Sequence, residues 1–213
     1  MEDIMRVKME LIEAGKWLYS KGLVSATDGN LSVRIDDRIV VTRSGVNKGK
    51  LSPEDFVIVG LDGKVLDGTG KPSSEIRMHL TVYAMRKDVK AVIHAHPPIL
   101  TALTLAGIPF DATWLPEVWV TIGPVPTAPY ATPSTQEVPQ AIEPFVKDHN
   151  AILLERHGSL TYSSTLEKAY FALEKLEHAA YVIMLATIIR GETPPGLTKE
   201  QLKKLNVAFG KTT

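Results

Sequence analysis

The sequence predicts an α/β fold in which helices sandwich a mixed sheet. Two observations carry this. Hydrophobic periodicity alternates along the chain between the 3.6-residue repeat of helices and the shorter period of strands. The order is helix, several strands, helix, strand, helix, strand, helix. The 213 residues are also 44% apolar and contain no cysteine. A core of ordinary size must therefore form by burial alone, within a single domain spanning residues 1–213.

Val7, Leu11, Ala14 and Leu18 share one helical face with Trp17 beside them, which predicts a helix over residues 3–20 that Lys21-Gly22 stops. Asp28-Gly29-Asn30 is a turn signal. Residues 31–35 alternate with period two, and Asp36-Asp37 turns the chain back into 38–42, a hairpin. Residues 44–49 read as a loop, 52–55 as a short helix start and 56–61 as a strand before the Asp62-Gly63 turn. Pro72-Ser73-Ser74-Glu75 opens a helix over 75–85, with a serine N-cap and an acid in the first turn. Residues 89–94 form an apolar strand that Pro97-Pro98 ends, and 99–105 a helix. Residues 108–133, rich in proline and aromatics, mix short strands with loops. Residues 136–146 are helical in pattern and 151–154 a buried strand. Residues 165–189 form a long helix, apolar nearly all round, which calls for burial on several sides, another subunit included. A loose tail is expected from about residue 191.

Composition narrows the function. Lys plus Arg number 24 and Asp plus Glu 24. That balance leaves no electrostatic footprint for nucleic acid or an anionic membrane. The apolar runs, such as 181–189, fall short of the ~20 residues that span a bilayer. The charged N-terminus lacks the apolar stretch of a signal peptide, so the cytoplasm is the expected location. Without cysteine there is no thiolate nucleophile, Cys-type zinc site or iron–sulfur cluster, and any metal must be held by His, Asp or Glu.

Chemistry concentrates in a few segments. In a strand, His94 and His96 point to the same face, a spacing that suits two ligands of one metal. The alternative is two hydrogen-bonded histidines at a strand end. His157 follows the apolar strand and precedes Gly158, where α/β proteins place site residues. With His94 and His96 it makes a three-imidazole set with an open position, the pattern of a catalytic zinc site. Ser73 and Ser74, at a helix start, suit an anion such as phosphate, or serve as an ordinary cap. His79, four residues after Glu75, reads as a packing or hydrogen-bonding residue. Gly29-Asn30 and Ser44-Gly45 are tight polar loops whose N–H groups can face an anion or simply turn the chain. Tyr130 is either a hydroxyl donor in a pocket or a packing residue. Lys48, Lys50 and Lys71 read as solvated, the alternative being that one of them assists phosphate binding. Trp114 and Trp119 read as core or interface, His178 as structural and His149 as a solvated loop residue.

In order, the chain carries Gly29-Asn30-Leu31-Ser32, Thr42-Arg43-Ser44-Gly45, Pro72-Ser73-Ser74-Glu75, His94-Ala95-His96-Pro97 and Leu154-Glu155-Arg156-His157-Gly158. Together these resemble the class II aldolase/adducin-head family, most closely its L-fuculose 1-phosphate aldolase branch, over residues 5–190. The resemblance implies a three-layer αβα sandwich around a largely antiparallel sheet. It implies a homotetramer with sites at subunit interfaces, acting on a small sugar phosphate. By the same resemblance, His94, His96 and His157 ligate Zn2+, with Co2+ or Mn2+ as substitutes. Glu75 joins the resting ligand set and acts as the catalytic carboxylate. Gly29, Asn30, Ser44, Gly45, Ser73 and Ser74 hold the substrate phosphate. The implied reaction is reversible cleavage of a ketose 1-phosphate to dihydroxyacetone phosphate and an aldehyde through a metal-stabilised enediolate. Tyr130 stands as the proton donor by position. Asp28 and Glu155-Arg156 depart from the family pattern. The same scaffold also admits an L-ribulose 5-phosphate-type 4-epimerase, a methylthioribulose 1-phosphate dehydratase or a non-catalytic adducin-like module.

Overall fold

The alternating periodicities resolve into one eight-stranded sheet with helices on both faces, in a computed structural model that describes residues 2–210. The strands are β1 (Asn30–Ile35), β2 (Arg38–Thr42), β3 (Phe56–Gly60), β4 (Val65–Asp67), β5 (Ala91–Ala95), β6 (Thr127–Ala128), β7 (Ala151–Leu154) and β8 (Gly158–Ser163). The helices are α1 (Glu2–Ser20), α2 (Ile76–Met85), α3 (Pro98–Leu105), α4 (Pro116–Thr121), α5 (Glu137–Val146), α6 (Leu166–Arg190) and α7 (Lys199–Ala208). Strand order is β4-β3-β2-β1-β5-β8-β7-β6. Every pairing is antiparallel except β6 with β7.

Side-chain alternation builds the three layers. Leu31 and Ile93 pack with Leu11 and Leu18 of α1 and Leu173 of α6 on one face. Val92 and Ile152 pack with Met78 and Val82 of α2 and Ile142 of α5 on the other. Each such fully buried side chain is worth about 1.5–3 kcal/mol. A third cluster of Leu100, Val118, Leu153 and Leu176 seats α3 and α4 against α6. The expected αβα sandwich is thus the observed architecture.

The same alternation places polar groups. Asn30, Ser32 and His94 face the α2 layer, because their neighbours Leu31 and Ile93 take the α1 side. Glu75, His79 and Tyr83 recur every four residues, so one face of α2 presents all three to those strands.

Several elements differ from the sequence reading. The N-cap of α2 is Glu75, not a serine, and its side chain makes no capping bond. The Ser73 hydroxyl instead accepts from the Glu75 N–H at 3.3 Å. The short strand β4, the strand β8 and the short helix α4 were not anticipated. The segment after 191 is not loose through residue 210. Thr198 and Gln201 form a reciprocal capping box that starts α7. The indole N–H groups of Trp114 and Trp119 donate to the Pro194 carbonyl (3.1 Å) and Asn206 Oδ1 (2.8 Å), and the Leu197 N–H donates to the Thr113 carbonyl. Residues 211–213 of that expectation lie outside the described residues. Along α6 the apolar ring divides: Leu173, Leu176 and Ala180 are buried, whereas Tyr181, Leu185, Ile188 and Ile189 are exposed.

Candidate functional site

Three imidazoles converge at one end of the central strands. His94, fully buried, projects from β5 between β1 and β8. Its Nδ1–H donates to the Ser159 carbonyl at 2.9 Å, which leaves the Nε2 lone pair facing inward. His96 lies just past β5, where its N–H donates to the Leu23 carbonyl. Its Nε2 is 2.9 Å from His94 Nε2. His157 comes from the β7–β8 turn, which Arg156 shapes with a φ of 58°. The three ligand atoms lie within 4.8 Å of one another.

Glu75 closes the cluster. Oε2 is 3.2 Å from His94 Nε2, and Oε1 is 3.2 Å from His157 Nε2. Oε1 is buried and makes no hydrogen bond. Four donors around one tetrahedral cation at ~2.0–2.1 Å would sit about 3.3 Å apart. The observed 2.9–3.2 Å separations are of that size. The orphaned carboxylate oxygen and the converging ring nitrogens therefore fit a divalent cation, with His94, His96, His157 and Glu75 as its ligands.

Electrostatics favour the ligating forms of His96 and Glu75. Burial, reinforced by His94 and His157, pulls His96 down to about 4, so it is neutral at pH 7. Burial opposes ionisation of Glu75, but the neighbouring His157 and His94 outweigh it and hold the carboxyl well below the usual range. Asp28 accepts from the Ser25 hydroxyl and places Oδ2 3.9 Å from His96 Nδ1. It thus stands beside an imidazole and also lines the cleft next to Gly29.

A cleft of about 330 Å³ opens beside the cluster. It is lined by Gly29, Asn30, Ser44, Gly45, Ser73, Ser74, Glu75, His96 and His157, so it collects every loop residue singled out for phosphate. Their available groups differ. The Ser44 and Ser73 N–H groups donate to the Lys71 and Thr42 carbonyls. Ser134, at a φ of 64°, donates its hydroxyl to Ser74 Oγ at 2.9 Å. The Asn30 side chain is already engaged: Nδ2 donates to Glu75 Oε2 at 3.0 Å and Oδ1 accepts from His79.

Lys48 was misread as solvated. It is 2% exposed, and its Nζ donates to the Thr27 and Val46 carbonyls at 2.6 and 2.7 Å. It ties the Gly29 loop to the Ser44-Gly45 loop and places a cation at the cleft floor. Burial lowers it to about 8. No sequence signal separates it from Lys50. Ser134 was also missed; only the turn-forming Pro133-Ser134 pair hints at it. Tyr130 is 58% exposed and is not among the residues lining the cleft.

His79 is fully buried, and burial, with a further push from His94, lowers it to about 3. Above pH 6.5 it is neutral folded and unfolded. Below that value the unfolded chain gains a proton that the folded chain refuses, so stability falls from about pH 6.5 toward 3. The melting temperature of His79→Gln is expected to decline less steeply over this window than that of the parent, measured by calorimetry in citrate–phosphate buffers.

Residues 9–184 match the Class II Aldolase and Adducin N-terminal domain family. The chain belongs to that family. It is 32% identical over 209 residues to a 5-deoxy-D-ribulose 1-phosphate aldolase of Bacillus thuringiensis serovar kurstaki, covering 97% of this chain and 96% of that protein. It is 32% identical to a 3-oxo-tetronate 4-phosphate decarboxylase of Cupriavidus necator, covering 86% of each. A solved L-fuculose 1-phosphate aldolase superposes with a TM-score of 0.87 at 32% identity, covering 96% of each chain.

Proposed function

We propose that this class II aldolase-family chain reversibly cleaves a ketose 1-phosphate of the L-fuculose 1-phosphate type to dihydroxyacetone phosphate and an aldehyde. The observation that carries the reading is the Glu75 carboxylate, set among three imidazoles at the mouth of a polar cleft. A divalent cation held by His94, His96 and His157, Zn2+ in this reading with Co2+ or Mn2+ as substitutes, supplies Lewis-acid stabilisation of the negative charge left on the ketone side.

The remaining work falls to the chain. Gly29, Ser44, Gly45, Ser73 and Ser74 surround the phosphate, with the Lys48 charge beneath it. That anchor fixes the three-carbon unit so that its reacting carbon faces Glu75. In the synthetic direction Glu75 takes the proton from that carbon; in cleavage it returns it. Because Tyr130 is exposed and outside its own cleft, its hydroxyl serves as proton donor only to a cleft in a neighbouring copy. We place it there within a cytoplasmic homotetramer, a reading supported by the exposed apolar stripe Tyr181, Leu185, Ile188 and Ile189. Sedimentation checks the assembly.

A second reading, decarboxylation of a 3-oxo acid phosphate, is favoured by the Cupriavidus necator relative. It leaves the same charge beside a carbonyl with carbon dioxide as the departing group.

The test is release of dihydroxyacetone phosphate from L-fuculose 1-phosphate, read by a coupled reductase, with zinc-loaded, EDTA-treated and Tyr130→Phe protein. Metal-dependent release is expected. The Tyr130→Phe protein is expected to lose about 10²-fold in kcat, the lower end of what a positioned general acid contributes. No release from metal-loaded protein, with carbon dioxide evolved from a 3-oxo acid phosphate, would replace the aldolase reading with the second one.

A further inference from the structure

From Glu75 a continuous hydrogen-bonded chain, begun by the cleft-lining Asn30, crosses from α2 to β1 and back. Asn30 Nδ2 donates to Glu75 Oε2 at 3.0 Å. Asn30 Oδ1 lies 2.5 Å from His79 Nε2. His79 Nδ1 lies 2.7 Å from the Ser32 hydroxyl, which lies 2.8 Å from the Tyr83 hydroxyl. Tyr83 also donates to the Ser32 carbonyl at 3.0 Å. Asn30 is 3% exposed, and Ser32, His79 and Tyr83 are fully buried.

The proton directions in this chain are set by its end. A carboxylate only accepts, so Asn30 must present its NH2 to Glu75 and its carbonyl to His79. His79 Nε2 must then carry the hydrogen. Nδ1 is left to accept, so Ser32 donates to it, and the single Tyr83 hydrogen lies between the Ser32 hydroxyl and the Ser32 carbonyl. From Asn30 through His79 to Ser32 each member has one arrangement that satisfies it, and reversing the amide or the tautomer would strand a buried group at a cost of about 1–3 kcal/mol. The array therefore points a fixed N–H at one oxygen of Glu75 and leaves Oε1, the orphaned oxygen, toward His157 and the cleft.

We propose that His79 is a positioning residue for Glu75: with Ser32 and Tyr83 behind it, it locks the Asn30 amide so that one carboxylate oxygen is pinned and the other is free to meet cation or substrate. This rests on the reading of Glu75 as cation ligand and proton carrier. It also gives Asn30 a task other than holding phosphate.

Two variants separate positioning from packing. His79→Gln keeps a donor near the Nε2 position, whereas His79→Leu fills similar space with none. Ser32→Ala cuts the chain one step further back with little change in volume. Two readouts are used: the Co2+ affinity of the protein by chelator competition, and kcat and KM on the cleaved sugar phosphate. Partners of this kind usually contribute about 10–100-fold to metal affinity or activity. His79→Leu is therefore expected to bind Co2+ about tenfold more weakly and to lose at least tenfold in kcat at unchanged KM. His79→Gln should stay within about threefold of the parent, and Ser32→Ala should fall between them.

Wild-type Co2+ affinity in a folded His79→Leu protein overturns the proposal. Equal losses in His79→Leu and His79→Gln overturn it too, because they would track packing. If His79→Leu fails to fold, Ser32→Ala decides: parental affinity and kcat there refute the lock. Should the parent cleave no sugar phosphate, the Co2+ arm still decides the positioning role.

Discussion

Replacing Glu75 by glutamine is expected to lower kcat for carbon–carbon cleavage by about 10²–10⁴-fold, the usual contribution of a positioned general acid–base group. The substitution is nearly isosteric. A glutamine carbonyl can still accept from Asn30 Nδ2, where Oε2 now sits 3.0 Å away. What disappears is the negative charge and the capacity to take a proton from carbon. Three imidazoles remain, so the variant should still bind about one divalent cation per chain, as three-ligand sites do. Binding of inorganic phosphate in the cleft should not change, because Ser44, Gly45, Ser73 and Ser74 are untouched. The pairing of an unchanged metal content, by atomic absorption, with a collapsed kcat isolates the proton transfer. Activity within tenfold of the parent would move the base to another residue.

The second large effect is expected from Gly158→Ala, which adds a single methyl group. A Cβ at that position would lie 2.4 Å from the Ala95 carbonyl oxygen and 2.9 Å from His96 Cδ2. Neither neighbour can yield cheaply. Ala95 is paired with Ser159 across β5 and β8, and Leu154 with Gly158 across β7 and β8. Relief requires prising β8 from β5 at the end that carries His94 and His96, with His157 one residue away. Overpacking of this kind costs about 1–3 kcal/mol. For a chain of this size that lowers the melting temperature by about 2–12 °C. Metal content should fall with it, because the displaced atoms belong to a ligand and to the carbonyl beside one. Thermal melts and metal analysis on the same sample check both. A variant with parental melting and full metal content would show that the strand ends adjust more freely than their pairing indicates.

How much of this was legible in the sequence follows from where the information lay. Periodic helices such as α1 and α5, and the apolar run of β7, declare themselves because burial of one face is written in the residue spacing. The residues of β8, Gly158-Ser159-Leu160-Thr161-Tyr162-Ser163, do not. Gly-Ser reads as a turn, and the segment is a strand because β5 and β7 flank it. The Thr198–Gln201 capping box, part of a segment expected to be loose, was passed over in the sequence. At the site, the His94-x-His96 spacing and the histidine after β7 were readable, since period-two geometry converges them. The burial of Lys48 was not, because it depends on two carbonyls brought together by separate loops. Asn30 was read as an anion residue from its neighbours in sequence. Its actual partners, Glu75 and His79, are more than forty positions away.

The sheet order has a consequence for what a bound cation does to the whole molecule. Its donors come from the start of α2, the end of β5 and the β7–β8 turn, segments that meet only when the centre of the sheet is assembled. An unfolded chain offers at best the His94-x-His96 pair. The cation is then a cross-link that exists in the folded state alone. At a thousand times its dissociation constant it deepens the folded basin by about 4 kcal/mol, comparable with a good disulfide. A chain with no cysteine would thereby gain a removable staple through its core, and scarcity of metal would threaten its persistence as well as its turnover.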